Sequence, residues 1–207
     1  MVYCAIIGDI INSKKIPNRQ EIQDLFASVL IEINMEYYDD IASNFTITLG
    51  DEFQGLIYKP ILSYEIIKKI KQKMSPIELV FGVGIGEMNT RIDRTVSIGS
   101  DGPAYHFARN MVEKAKKKRP SILYYSGMSS DELINGLLYF SESCINSRTA
   151  KQIEAVKLYD ELKSQKEVAR NLNRSQAAIS TLLFNAFYHE VANAEEKIKI
   201  FFQNLQN

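Results

Sequence analysis

The stretch FTITLGDEFQGLIY, residues 45–58, decides the fold. Two apolar, strand-like runs, 45–49 and 53–58, flank Gly50-Asp51-Glu52, so the segment reads as a β-hairpin. Upstream, residues 2–7 form an apolar run that ends in Gly8-Asp9. After the polar loop Asn12-Ser13-Lys14-Lys15 and Pro17, apolar residues recur at helical spacing: Ile22, Leu25, Phe26, Val29, Leu30 and Ile33. Downstream, Pro60 opens a second helix with Leu62, Ile66, Ile67 and Ile70 on one face, and residues 78–85 read as a strand. Gly102-Pro103 starts a third helix that runs to about Lys117, and residues 120–125 give a last strand. The order β-α-β-β-α-β-α-β predicts an α/β (α+β) domain, a ferredoxin-like sheet with helices on one face and additions at its edge.

Beyond about Ser126 the character changes. No proline and no strand pattern follow, and Ser129-Ser130-Asp131-Glu132 is a helix start. Ser141, Ser143, Asn146 and Ser147 cluster where a boundary is expected, near residues 140–148. The division expected is residues 1–145 as an α/β domain and residues 146–207 as an all-α domain.

The bulk numbers exclude several classes. With 45% hydrophobic and 24% charged residues the chain can build a core without disulfides or structural metal. Its formal net charge is zero, so nucleic-acid binding must come from a local patch. The two cysteines, Cys4 and Cys144, have no partner at metal-ligand spacing and read as packed, reduced thiols. No apolar stretch approaches the ~20 residues of a membrane span, and no signal peptide is evident, so a cytoplasmic location is expected.

Two carboxylates stand at strand ends, Asp9 after the first strand and Asp51 in the hairpin turn. Either Gly-Asp alone is ordinary turn chemistry. Together, on neighbouring strands, they can reach one Mg²⁺, which takes one or two carboxylates and keeps a nucleotide phosphate as partner. Glu52 could add a ligand or stay structural. The loop Ile10-Ile11-Asn12-Ser13 precedes a helix, so its amides could cradle phosphate, with Lys14 and Lys15 adding positive charge. His106 reads as a helix-start hydrogen bond. Lys114, Lys116, Lys117, Lys118 and Arg119 read as a solvated helix end favoured by the macrodipole.

These motifs carry a resemblance. Residues 5–10, AIIGDI, are similar to the first strand of class III nucleotidyl cyclases, and LGDEF, residues 49–53, resembles both the cyclase hairpin and the GGDEF signature of diguanylate cyclases. FGVGIG, residues 81–86, resembles the strand that follows, and YHFAR, residues 105–109, sits where cyclases carry an Asn-x-Ala-x-Arg helix start. The wording GDIINSKK, ITLGDEFQGL and GSDGPAYHFAR is similar to the SatD family of bacterial proteins over the whole chain. The cyclase resemblance implies Asp9 and Asp51 as metal ligands, the Ile10 carbonyl as a backbone ligand, and Arg109 as the catalytic, transition-state arginine. Tyr105 replaces the cyclase asparagine and Ile47 the base-reading lysine, so adenine specificity is not implied and nucleotide binding survives these departures better than turnover does.

Residues 165–182 have the spacing of a helix-turn-helix. Val168 and Ala169 suit a close helix crossing, and Leu172 closes the first helix. Asn173 suits a left-handed turn position, Ser175 caps the second helix, and Ile179 and Leu182 lock it down. Arg174, Ser175, Gln176, Ala177, Ser180 and Thr181 make an outer face suited to a major groove of double-stranded DNA. Lys163, Lys166 and Arg170 would serve phosphates, with help from Arg148 and Lys151 on the preceding helix. The plainer alternative is a helical hairpin used for packing. An apolar stripe from Ile179 to Leu205 continues as one long helix or two stacked ones, and wants either the chain's own body or a second copy. A homodimer is expected. The functional expectation is a DNA-binding regulator whose first domain senses a magnesium–nucleotide. The alternative is an active Mg²⁺-dependent nucleotidyl cyclase or transferase whose helices serve dimerisation or localisation.

Overall fold

The structure is a computed structural model and describes residues 1–117 and 120–204. The elements are β1 (Tyr3–Ile10), α1 (Arg19–Glu36), β2 (Ile41–Ile47), β3 (Glu52–Ile57), α2 (Ser63–Met74), β4 (Leu79–Gly86), α3 (Pro103–Lys117) and β5 (Ile122–Tyr125). Five helices follow: α4 (Asp131–Asn146), α5 (Ala150–Leu162), α6 (Gln165–Asn171), α7 (Gln176–Asn185) and α8 (Tyr188–Asn204). The chain divides into two compact units, Met1–Gly136 together with the stretch from Lys199, and Leu137–Ile198. The serine cluster at 141–147 is helical up to Asn146, and Ser143 Oγ satisfies itself by donating back to the Tyr139 carbonyl, 2.8 Å away.

In the first unit the strands run β2-β3-β1-β4-β5. β1 is antiparallel to both β3 and β4, and β5 joins β4 in parallel. The first four strands with α1 and α2 therefore form the ferredoxin-like pattern, and β5 extends it. One face of the sheet carries an aromatic core: Phe53 meets Phe26, Phe45 and Phe81 edge-on, with ring centroids 5.5, 5.7 and 6.2 Å away. Phe26, Val29, Leu30 and Ile33 of α1 and Ile66, Ile67, Ile70 and Met74 of α2 are buried.

The expectation of helices on one face is corrected by α3, which covers the other. Strand alternation turns Ala5, Ile7 and Asp9 away from the aromatic side. Gly82 and Gly84 face the same way, and they are what admits the helix. A Cβ at Gly84 would lie 2.1 Å from the Ala104 carbonyl oxygen, and one at Gly82 would lie 2.1 Å from that of Ala108. The backbone of α3 thus rests on β4 with no side-chain layer between them, and Ala5, Ile7, Leu56, Val80, Ala108 and Val112 fill the remaining space.

In the second unit, α5, α6 and α7 close on Val156, Val168, Ala169, Ile179, Leu183 and Ala186. Ser164 caps α6 and Ser175 caps α7, accepting from the amides of Glu167 and Ala178. Asn173 holds the turn between them in the left-handed region at φ 51°. The apolar stripe is two helices rather than one. α7 ends at Asn185 and α8 starts at Tyr188, because Phe187 takes φ 52°. Arg148 Nε donates to the Ala186 carbonyl at this break, 2.9 Å away. Of the stripe, Ile179, Leu183, Ala186, Val191, Ala194 and Ile198 are buried, Leu182 and Phe201 are half-buried, and Phe187 is exposed. Leu205 lies outside the described residues. Among the described residues no helix is long and apolar enough to cross a membrane.

Candidate metal and nucleotide site

β1 delivers Asp9 to the face covered by α3, and its partner across the ladder is Glu52, the first residue of β3. Two acidic side chains therefore stand directly opposite one another on adjacent strands, which is unfavourable unless cations answer them. Helix α3 supplies two. Arg109 grips Glu52 with both terminal nitrogens, Nη1 to Oε2 and Nη2 to Oε1, the second at 2.8 Å. Thr48 Oγ1 adds a third donor to Glu52 Oε1, 3.0 Å away, and the Glu52 side chain is only 4% exposed. About two turns further on, Lys116 Nζ lies 2.9 Å from Asp9 Oδ2 and 2.9 Å from Glu113 Oε1.

Asp51 stands one step beyond this pair. The Ile10 amide donates to its carbonyl, 3.0 Å away, which continues the β1–β3 ladder to the hairpin tip. Its carboxylate accepts from the hydroxyl of Ser13, a buried residue in the 3-10 turn Ser13–Lys15 that follows β1.

Burial raises the Asp9 carboxyl above its ordinary range; the Lys116 bond and charge pull it back, and the charges of Asp51 and Glu52 push it up again. For Lys116, burial works against the charge, but hydrogen bonds to Asp9 and Glu113 outweigh it and hold the ammonium above its usual value. Both values are raised, which disfavours the charged form of Asp9 and favours that of Lys116, because Asp9 is buried and crowded by two other acids while Lys116 draws on two carboxylates. The hydrogen bonds to Glu52 raise Arg109, against the cost of its burial. Four carboxylates, Asp9, Asp51, Glu52 and Glu113, and two bases, Arg109 and Lys116, therefore gather at one end of the sheet, where acids outnumber bases.

Among the described residues no three His, Cys, Asp or Glu side chains form a group that could hold a metal ion. The donor chemistry still suits Mg²⁺, which asks for oxygen ligands and takes one or two carboxylates beside phosphate and water. Asp9 and Asp51 each keep one carboxylate oxygen with no partner among the described residues, and the Ile10 carbonyl lies at the same strand end. Glu52 has both oxygens committed to Arg109, so its role here is to hold that arginine.

Of the phosphate loop, Ile10 and Ile11 donate their amides to the carbonyls of Asp51 and Glu78. The amides of Asn12, Ser13 and Lys14 are what remains for an anion. Asn12 is left-handed at φ 54°, and Lys14 and Lys15 are exposed. Tyr105, at the place of the cyclase asparagine, is a core residue packed among Ala5, Ile7, Leu56 and Val112. Ile47 is half-buried at the end of β2. His106 Nε2 sits 2.6 Å from Asp101 Oδ1 at the start of α3, the helix-start bond that its position suggested.

One residue of the lysine run does more than sit in solvent. Lys114 and Lys117 are exposed, but Lys116 belongs to the acidic site, and Lys118 and Arg119 lie outside the described residues. A signal for this existed in the spacing. Arg109, Val112, Glu113 and Lys116 recur at intervals of three and four, which puts both bases on one side of α3.

On the helical unit, Lys166, Arg170, Arg174, Ser175, Gln176, Ala177, Ser180 and Thr181 are all exposed. Two of their hydroxyls already have local partners: Ser175 Oγ accepts from the Ala178 amide at 3.1 Å, and Thr181 Oγ1 donates to the Ala177 carbonyl at 3.0 Å. Lys163 is paired with Asp160 at 3.1 Å.

Residues 3–189 match the SatD family. No curated protein matches the chain. Among solved structures, a bacterial light-regulated adenylyl cyclase is similar with a TM-score of 0.46 and 12% identity, over 59% of this chain and 74% of that one. A guanylyl cyclase has a TM-score of 0.38 and 10% identity, over 55% and 70%. A regulator of polyketide synthase expression from Bifidobacterium adolescentis has a TM-score of 0.31 and 15% identity, over 96% and 80%. Likenesses of that strength imply nothing about activity.

Proposed function

The chain belongs to the SatD family, and on that premise we propose that its sheet unit binds a divalent metal–nucleotide at Asp9 and Asp51 and acts on it as a nucleotidyl cyclase or transferase. The observation that carries this reading is the gathering of Asp9, Asp51 and Glu52 at one strand end under two bases from a single helix. Asp9 and Asp51 each keep one carboxylate oxygen with no partner among the described residues, and a hard cation that takes one or two carboxylates suits that pair. Mg²⁺ held by Asp9, Asp51 and the Ile10 carbonyl would neutralise phosphate charge and polarise a phosphoryl oxygen.

The chain's own groups do the rest. The amides of Asn12 and Ser13, with Lys14 beside them, orient the phosphates. Ser13 fixes the Asp51 carboxylate so that its other oxygen points to a defined place. Glu52 sets the plane of the Arg109 guanidinium, which stabilises charge that grows during transfer.

A thermal-shift series of nucleoside triphosphates with and without Mg²⁺, followed by chromatography of the incubated nucleotide, tests the proposal. A metal-dependent shift with product formation supports it. A shift without product reduces the unit to a nucleotide sensor, and no shift for any nucleotide sinks it.

A second reading, a DNA-binding regulator, is favoured by the helical unit. A short capped helix, a left-handed Asn173 and a second capped helix present Lys166, Arg170, Arg174, Ser175, Gln176 and Ser180 on exposed positions. The major groove accepts such a helix, and Gln176 could pair with an adenine edge. Anisotropy titration of random and mixed-sequence duplexes at low salt tests it. A homodimer is part of this reading, since paired helices read two half-sites. Light scattering checks it.

A further inference from the structure

Lys116 binds two carboxylates at equal length, Asp9 Oδ2 and Glu113 Oε1, both at 2.9 Å, with Glu52 Oε2 at 4.0 Å. The three acids differ in how free they are. Glu52 is closed off by Arg109 and Thr48 and is 4% exposed. Glu113 is half exposed and lies on the same helix as Lys116, three residues before it. The Asp9 side chain is 16% exposed and keeps Oδ1 with no partner among the described residues. Asp9 is therefore the acid of the cluster that can change partners. The ammonium sits on a long flexible stem, one-third exposed, and can leave one carboxylate without losing the other.

We infer that Lys116 is an internal counterion that a divalent cation displaces from Asp9, with Glu113 keeping the released ammonium. This rests on the reading of Asp9 as a metal ligand. A divalent ion and an ammonium on the same carboxylate repel each other strongly at the effective dielectric of a half-buried site. Metal uptake is then an exchange. The observed affinity is that of the open carboxylates, reduced by the strength of the Lys116–Asp9 bond. Glu113 tunes the exchange, because it gives the lysine a second partner at bonding distance. The exchange has a use: it frees an ammonium at the edge of the site just as a metal-bound polyphosphate arrives, and Lys is a compact point charge for phosphate.

The test is calorimetric titration of the full-length protein with Mn²⁺ alone, in wild type, Lys116→Met, Glu113→Gln and Asp9→Asn, with circular dichroism melts to establish folding. Lys116→Met is expected to tighten Mn²⁺ binding by about five- to tenfold. Glu113→Gln, which leaves Asp9 as the main partner of Lys116, is expected to weaken it by about two- to threefold. Asp9→Asn is expected to abolish it. Equal or weaker binding by folded Lys116→Met overturns the inference, and if Asp9→Asn still abolishes binding, the metal reading survives that failure. Mn²⁺ binding that ignores Asp9→Asn, or no binding by any variant, removes the metal reading and this inference with it. Should Lys116→Met fail to fold, Lys116→Gln keeps a hydrogen-bond donor without the charge and carries the same expectation of tighter binding.

Discussion

Asp9 and Glu52 face each other across the β1–β3 ladder, and each is answered by a different base from one helix: Lys116 for Asp9, Arg109 for Glu52. The two pairs are unequal. The Arg109 pair is bidentate around a buried carboxylate, whereas the Lys116 pair is a single bond shared with Glu113. The first fixes geometry and the second can be exchanged.

Removing the guanidinium should therefore be felt in stability. Arg109→Ala leaves Glu52 buried with Thr48 as its remaining donor. Breaking a fully buried pair costs about 3–5 kcal/mol, but the Arg109 side chain is 42% exposed, so we expect about 2 kcal/mol after allowing for solvent screening. Urea titration measures it. Arg109→Lys should recover only part of the loss, because an ammonium cannot make the paired contact.

Asp51→Asn should separate fold from binding. The residue sits at the hairpin tip, and an amide can still accept the Ser13 hydroxyl. The melting temperature without ligand should stay within about 2 °C of wild type, a shift expected for a few tenths of a kcal/mol. The Mg²⁺-dependent shift with nucleotide should fall by more than half. An unchanged nucleotide shift would count against Asp51 as a ligand.

Gly84→Ala should be damaging out of proportion to its size. The added methyl would meet the Ala104 carbonyl oxygen at 2.1 Å and the Ala108 amide nitrogen at 2.4 Å, both backbone atoms that cannot step aside alone. We expect a loss of about 3 kcal/mol, measured by denaturant unfolding, with any Mn²⁺ binding perturbed at the same time.

The loop after β4 carries a pH dependence of its own. Asp93 accepts from both the hydroxyl and the amide of Thr95, which lower its carboxyl below the ordinary range. A lowered value means that the contribution is fully present above the ordinary aspartate pKa and is lost as acid carries the pH down through the lowered one. Amide exchange at Thr95 should accelerate across that acidic window, and in Asp93→Asn the step should vanish.

On the helical unit, two kinds of substitution should fail differently if it binds DNA. Gln176→Ala should cost about 1–3 kcal/mol on a preferred site and relax its sequence preference. Lys166→Ala and Arg170→Ala should weaken binding to all sequences alike and flatten the salt dependence. Anisotropy at two salt concentrations reads both. Equal losses from all three would indicate a contact with phosphates only.

Much of this was legible in the residues because it is local. The Gly50-Asp51-Glu52 turn, the Gly102-Pro103 helix start and the left-handed Asn173 are each dictated by neighbours in the chain. What escaped was long-range or had no residue signature. Periodicity says that α3 has an apolar side but not which face of the sheet receives it, and the alternate glycines of β4 carry that information only once α3 is known to be there. Lys116 looked solvated because its partner, Asp9, lies on the first strand of the sheet. Phe187 takes a left-handed conformation that its identity does not announce. The break in the stripe therefore had to be seen.

Because α3 lies bare against β4, its two bases have one rigid carrier. A side-chain layer would let the helix tilt or slide a little and absorb a push; backbone against backbone gives no such slack. Arg109 and Lys116 therefore have their backbones fixed to the sheet by the same close contact, whatever their side chains do. A substitution that pries α3 from β4 would then disturb the buried pair and the exchangeable one at once.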